Sequence, residues 1–243
     1  MIGIVWAIRP RMPAQIPAER RRHKYSFDDR AIGAVRVGQN HLFCQSMRFP
    51  LDLLIPLRRR NMQRITAVQI EEMRKCGYDR STIAEAEAWF EQGKAADAIV
   101  EQIEAAFADV RLEEGIGLRQ SHGIDNYAGA DQLRRLRDSD EKDDWRRIDA
   151  QLLASSEAAP SFLDGKGLRF HAPAFMVAEL RGQTETDFVG RLIYGLYNVR
   201  DFVESLTPPQ RAAIIACIQF YGNLDQYGYE PNDIEAAIAG FNA

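Results

Sequence analysis

The feature that most limits what this chain can fold into is a change of pattern at Met62. Downstream of it, apolar residues recur at helical spacing between residues that start and stop helices. Upstream, neither a helical nor a strand period persists. The best-marked stripe is the last, Ile234, Ala237, Ile238 and Phe241, which falls at i, i+3, i+4 and i+7. A chain patterned this way buries one face of each helix against its neighbours, so residues 62–243 are expected to form a mainly α domain.

The punctuation supports a series of short elements. Thr66, followed three residues later by Gln69, has capping-box spacing and opens a helix through Val68, Glu72, Met73 and Cys76 to a stop at Gly77. Ser81 or Thr82 starts a second helix ending at Gly93. Ile99, Ile103, Ala106, Phe107 and Val110 share the stripe of a third, Ala95 to Val110. Gly115 and Gly117 break the chain before a helix from Leu118 to Tyr127. A short charged helix at 131–138 turns Leu133 and Leu136 inward, and Trp145, Ile148 and Leu152 pin the next segment to the core. Helices also begin at Asp187 and after Thr207, the latter with Ile214, Cys217, Ile218 and Tyr221 as its buried stripe.

One stretch breaks the helical reading. In SFLDGKGLRFHAPAF (161–175), Asp164, Gly165 and Gly167 supply turn chemistry, while Leu168 and Phe170 alternate onto one face. A small β-hairpin is therefore expected at 161–171, with Pro173 as the first residue of a helix closed by Gly182. The class is mainly α (α+β), a single domain of about 180 residues, large enough to bury roughly 70 % of its unfolded surface.

Residues 1–61 are a different polypeptide. They hold eleven Arg and one Lys against Glu19, Asp28, Asp29 and Asp52, a net +8, whereas the remainder carries 19 basic and 31 acidic residues, a net −12. Half of the 10 prolines lie in this leader, together with the runs ERRRHK and RRRN. So basic a segment with so little patterned apolar surface struggles to offset its chain entropy. Two readings stay open: the leader precedes a true start at Met62, or it is a disordered basic arm, with RNA, DNA or an acidic membrane as the partner if it is functional.

The overall charge of −4 argues against nucleic acid as a partner of the main domain. Cys44, Cys76 and Cys217 are scattered and odd in number, which fits reduced thiols better than a disulfide framework or a zinc site. No apolar run reaches the roughly 20 residues of a membrane span, and the opening MIGIVWAI has no basic segment before it. A cytoplasmic protein without membrane contact is expected.

The residues worth suspecting are few. Arg169 and His171 project from the face opposite Leu168 and Phe170, and with Asp164 they are suited to receive an anion or move a proton. His122 and Asp125, three apart, share a helix face. One imidazole and one carboxylate are too few for zinc, so a metal would have to borrow His171, Asp140 or Asp144. Each has a structural reading beside the chemical one: Arg169 pairs with an acid of DEKDDW, His171 caps or packs, and the acidic run is a solvated helix start. No G-x-x-x-x-G-K-[ST], G-x-G-x-x-G, H-E-x-x-H or G-x-S-x-G occurs. No catalytic residue, metal or cofactor is assigned.

The succession GIGL (115–118), Ile124-Asp125, Asp140, Asp144-Trp145, Ile148, SFLD (161–164) and RFH-x-PAF (169–175) resembles an uncharacterised bacterial family, domain of unknown function 6714. The likeness runs from about Ile99 to Leu180 and weakly to the C-terminus. It implies no reaction and carries over no catalytic residue. The expected function is a non-enzymatic cytoplasmic binding or interaction protein for a basic partner, inhibitor- or immunity-like. The alternatives are a small hydrolase using His171 with Asp164 and Asp144, and nucleic-acid contact through residues 1–61.

Overall fold

A computed structural model describes residues 62–243, and the expectations placed on residues 1–61 lie outside it. The described chain runs α1 (Ala67–Lys75), α2 (Arg80–Ala106), α3 (Leu118–Asp125), α4 (Ala130–Asp138), α5 (Ala150–Ala154), α6 (Gly165–Leu180), α7 (Phe188–Tyr194), α8 (Arg200–Ser205), α9 (Pro208–Gly222) and α10 (Pro231–Asn242). No strand occurs among the described residues.

The caps read from the sequence are in place. Thr66 and Gln69 form the reciprocal capping box of α1, and Thr207 with Gln210 does the same for α9, where Pro208 occupies the first helical turn. Gly77 stops α1 with φ +76°, a conformation that favours glycine. The face of α1 differs from expectation: Ile70 is its buried residue and Val68 is 68 % exposed. The second and third expected helices are one continuous element, α2, capped by Asp79. Gly93 lies buried in its middle, where the Arg64 guanidinium packs 3.4 Å from a Cβ position and donates 2.7 Å to the Gly93 carbonyl. A Cβ there would make only an ordinary van der Waals contact with Arg64, and the helix runs on through this glycine instead of ending at it.

Around one element the rest is arranged. α6 packs against α2, α5, α7 and α8, and every residue from Phe170 to Leu180 is buried. A helix enclosed on all sides loses the one-sided stripe that identifies a surface helix. The stretch expected as a hairpin contains no strand: it runs from a short turn ending at Ser161 through the N-cap Asp164 into the first turns of α6. Asp164 is its N-cap, with its carboxylate accepting the Gly167 N–H at 2.8 Å. Leu168 and Phe170 are both buried while Arg169 between them is half-buried, so the short stretch reads as strand alternation although it is helical. Pro173, expected at the start of a helix, sits inside α6 instead. It removes the donor that would reach the Arg169 carbonyl, a local cost that packing on every side offsets.

The core joins Phe107, Trp145, Phe175, Phe188, Phe202 and Phe241 with the aliphatic residues of α2, α6 and α9. Trp145 is the anchor expected, and its indole N–H donates to the Phe107 carbonyl at 2.9 Å. Phe175 and Phe188 stack with ring centroids 4.9 Å apart. Cys217 is a buried free thiol, in keeping with the reading of a reduced thiol at that position. No helix among the described residues is long and apolar enough to cross a membrane.

Candidate functional site

The polar chemistry of the domain concentrates at the two ends of α6. At the N-terminal end, Asp164, Arg169 and His171 share the same two turns, as their spacing implies, but their side chains are engaged separately. Asp164 Oδ1 accepts the Ile116 N–H at 3.0 Å as well as that of Gly167, tying the loop before α3 to the helix. The approach is so close that a Cβ on Gly167 would lie 2.5 Å from the Ile116 carbonyl oxygen.

Arg169 is half-buried, 3.7 Å from Glu113 and 3.4 Å from the Ser205 carbonyl, while Lys166 pairs with the same Glu113 at 2.9 Å. Those two cations, Lys166 foremost, hold the Glu113 carboxyl below its usual range. Arg137 donates to the Glu113 carbonyl, leaving its Nη1 and the nearby Gln120 Oε1 without protein partners.

His171 is 1 % exposed and its Nδ1 lies 2.7 Å from the Gly167 carbonyl. A carbonyl only accepts, so this nitrogen carries the proton. Burial lowers the imidazole from its ordinary 6.5 to about 4, which the Gly167 hydrogen bond only partly opposes. The ring is neutral at physiological pH and packs edge-on against Phe170 at 5.0 Å.

The remaining expected residues lie elsewhere. His122 is half-buried on α3, its carbonyl accepting from the Asn126 side chain, and Asp125 is exposed at the helix end. Asp144 begins the short turn at Trp145–Arg147, where Arg146 at 2.8 Å draws its carboxyl down. Asp140, considered as a borrowed metal ligand, is a cap for another segment. Gly117 at the start of α3 has no side chain to offer, and Asp140 accepts the Arg119 and Gln120 amides at 2.7 and 3.2 Å. A Cβ on Gly117 would strike the Asp140 carboxylate. Burial raises the Asp140 carboxyl despite those two amides. Among the described residues no group of three or more His, Cys, Asp or Glu is placed to hold a metal ion.

At the C-terminal end stands a site that motif reading missed. Glu179 is the acid in the otherwise apolar run Ala172–Leu180, and it is buried. Its Oε1 accepts the Thr186 hydroxyl at 2.7 Å and the Phe188 amide at 2.6 Å, and its Oε2 accepts the Val189 amide at 3.2 Å. It thereby caps α7 from the preceding helix. The formal cap residue, Asp187, has φ +53° and makes no side-chain cap bond. Burial raises the Glu179 carboxyl from 4.5 to about 7, against the pull of those three donors.

Beside it lies a small, partly open cavity lined by Glu179, Thr184, Glu185, Asp187, Tyr221, Tyr227 and Tyr229, with room for about one water molecule. Tyr229 donates to Asp187 Oδ1 at 3.1 Å. Thr184, 4 % exposed, has a buried hydroxyl without a partner. The Tyr227 hydroxyl, near Tyr221 and Gln226, lacks a hydrogen bond of good geometry. The three rings pack edge-on and stacked, Tyr221 to Tyr227 at 4.8 Å and Tyr227 to Tyr229 at 6.0 Å. Two signals in the sequence mark this place: an acid within a buried run, and three tyrosines within YGNLDQYGY.

The sequence matches the profile of a family of unknown function, domain of unknown function 6714, over residues 95–240, and the chain belongs to that family. The match runs on through most of α10, well beyond Leu180. No curated protein and no solved structure matches the chain.

Proposed function

We propose that this protein is a non-enzymatic binding protein whose partner is basic, in an inhibitor- or immunity-like role. The observation that carries this reading is the engagement of the imidazole and acids expected of an enzyme. His171 is neutral, buried and bonded to its own helix backbone, and Asp164 and Asp140 serve as caps. A general base must reach the proton it abstracts, directly or through one water. His171 and Asp164 share no hydrogen bond, and Asp144 is paired with Arg146, so the hydrolase alternative finds no support in this geometry. Nucleic-acid contact through residues 1–61 rests on their composition alone.

A net −12 over residues 62–243 supports a basic partner, because an acidic surface speeds and orients encounter with one. The test is quantitative capture with the full tagged chain at low and high salt, followed by association kinetics with the purified partner. A stoichiometric basic protein is expected, with an association rate that falls as salt rises. Capture of no stoichiometric partner at low salt, or of one whose association ignores salt, overturns the proposal.

A further inference from the structure

The cavity at the C-terminal end of α6 has more acceptor capacity than its surroundings use. Thr184 Oγ1 is buried without a partner and lines the cavity together with Glu179 and Asp187. Glu179 forms no ion pair with any described residue, although its neighbour Asp187 is also an acid. Three tyrosine rings complete the walls, and Glu185 lies exposed at the rim. Carboxylates, hydroxyl oxygens and aromatic rings together select for a cation. The space, that of about one water, admits an –NH₃⁺ head and excludes a trimethylated one.

We infer that this cavity binds a primary ammonium group, with Glu179 and Asp187 supplying charge, Thr184 and Tyr227 accepting N–H bonds, and the tyrosine rings facing the cation. A water would satisfy the hydroxyls; an ammonium would in addition give the Glu179 carboxylate a counter-charge in its ionised form, and a buried charge is stabilised by such a partner. The ammonium has two sources of the same chemistry, a lysine side chain of a protein partner or a free alkylamine. The site rests on the proposed function only for the choice between them.

The experiment titrates the full chain at about pH 8, above the Glu179 value, with n-butylammonium chloride and with tetramethylammonium chloride. Amide chemical shifts of Thr184 and of residues 227–229 are the readout. Saturable shifts are expected with n-butylammonium, about tenfold or more weaker with tetramethylammonium, and about tenfold weaker in the T184V:Y227F double variant. Both replacements remove only hydroxyls without a good partner, so the fold is kept. Failure to saturate, or equal affinity in wild type and double variant, overturns the site and leaves the cavity to a water.

A short acetylated, amidated lysine peptide separates the sources. Binding about tenfold tighter than n-butylammonium points to a protein lysine, and equal binding to a free amine. Saturable ammonium binding with no captured protein partner leaves the site standing while the proposed function fails. A captured partner combined with no ammonium saturation does the reverse.

Discussion

The two ends of α6 solve the same problem in different ways. Each buries an ionisable side chain, His171 at one end and Glu179 at the other, and burial disfavours the charged form of both. The imidazole falls to about 4 and the carboxyl rises to about 7 for one shared reason. What surrounds them differs. Around Asp164 and His171 the backbone closes in, and glycines at 115, 165 and 167 allow chains to approach within van der Waals contact. Around Glu179 the side chains are large, and three tyrosines leave a cavity with a buried hydroxyl unmatched. A polar group held by close backbone contacts is structural; one beside a cavity with spare acceptors is equipped to meet a ligand.

The largest test of that contrast is Gly167→Ala. A Cβ there meets the Ile116 carbonyl at 2.5 Å and the Asp164 carboxylate at 2.9 Å, so the loop and helix must separate. A loss of about 3 kcal/mol or more is expected from urea unfolding. A loss below about 1 kcal/mol would show that close backbone contact does not hold the N-terminal end.

Next in size are the opposing pH dependences. Glu179 has a folded value of about 7 above its ordinary 4.5, so the folded state binds the extra proton. Its contribution is complete below 4.5 and is lost as pH rises through about 7, a fall of about 3 kcal/mol. His171 has a folded value of about 4 below its ordinary 6.5, so its contribution is present above 6.5 and lost as pH falls toward 4, by about as much. Between 4.5 and 6.5 the two slopes nearly cancel. E179Q is expected to unmask a stability that climbs by about 3 kcal/mol from pH 4 to 6.5, and His171→Asn one that declines over pH 4.5 to 7. The slope is read rather than the absolute stability. Parallel profiles for both variants would break the comparison.

Smaller is the effect of Asp164→Ala, which removes the acceptor of the Gly167 and Ile116 amides and should cost about 1–2 kcal/mol. Smallest is T184V, which exchanges a hydroxyl without a partner for a methyl of similar shape. Its stability should change by less than about 0.5 kcal/mol or increase slightly. A loss like that of Asp164→Ala would mean the Thr184 hydroxyl is already satisfied and the cavity closed to a ligand.

The helices that sequence reading placed correctly are those with local signals. The capping boxes at Thr66 and Thr207, the stop at Gly77 and the stripe ending at Phe241 each depend on residues within a turn or two of one another. The misreadings came where neighbours distant in sequence decide. Gly93 lies buried inside a continuous α2, and the would-be hairpin is the capped start of a helix whose later turns are buried among α2, α7 and α8. The candidate site divides the same way. Asp164, Arg169 and His171 were visible as a cluster of reactive types, yet nothing local said that the imidazole would be buried. Glu179 was invisible as a cap because the amides it accepts begin nine residues later, at Phe188.

Sequence by itself determined a mainly helical fold for residues 62–243, a basic segment ahead of an acidic one, and the ends of those helices that carry their own caps. It could do so because hydrophobic period and capping are short-range. Only the tertiary structure decided which carboxylates cap helices, which imidazole is neutral and where a cavity remains. Those outcomes follow from burial, which is fixed by residues far apart in the chain.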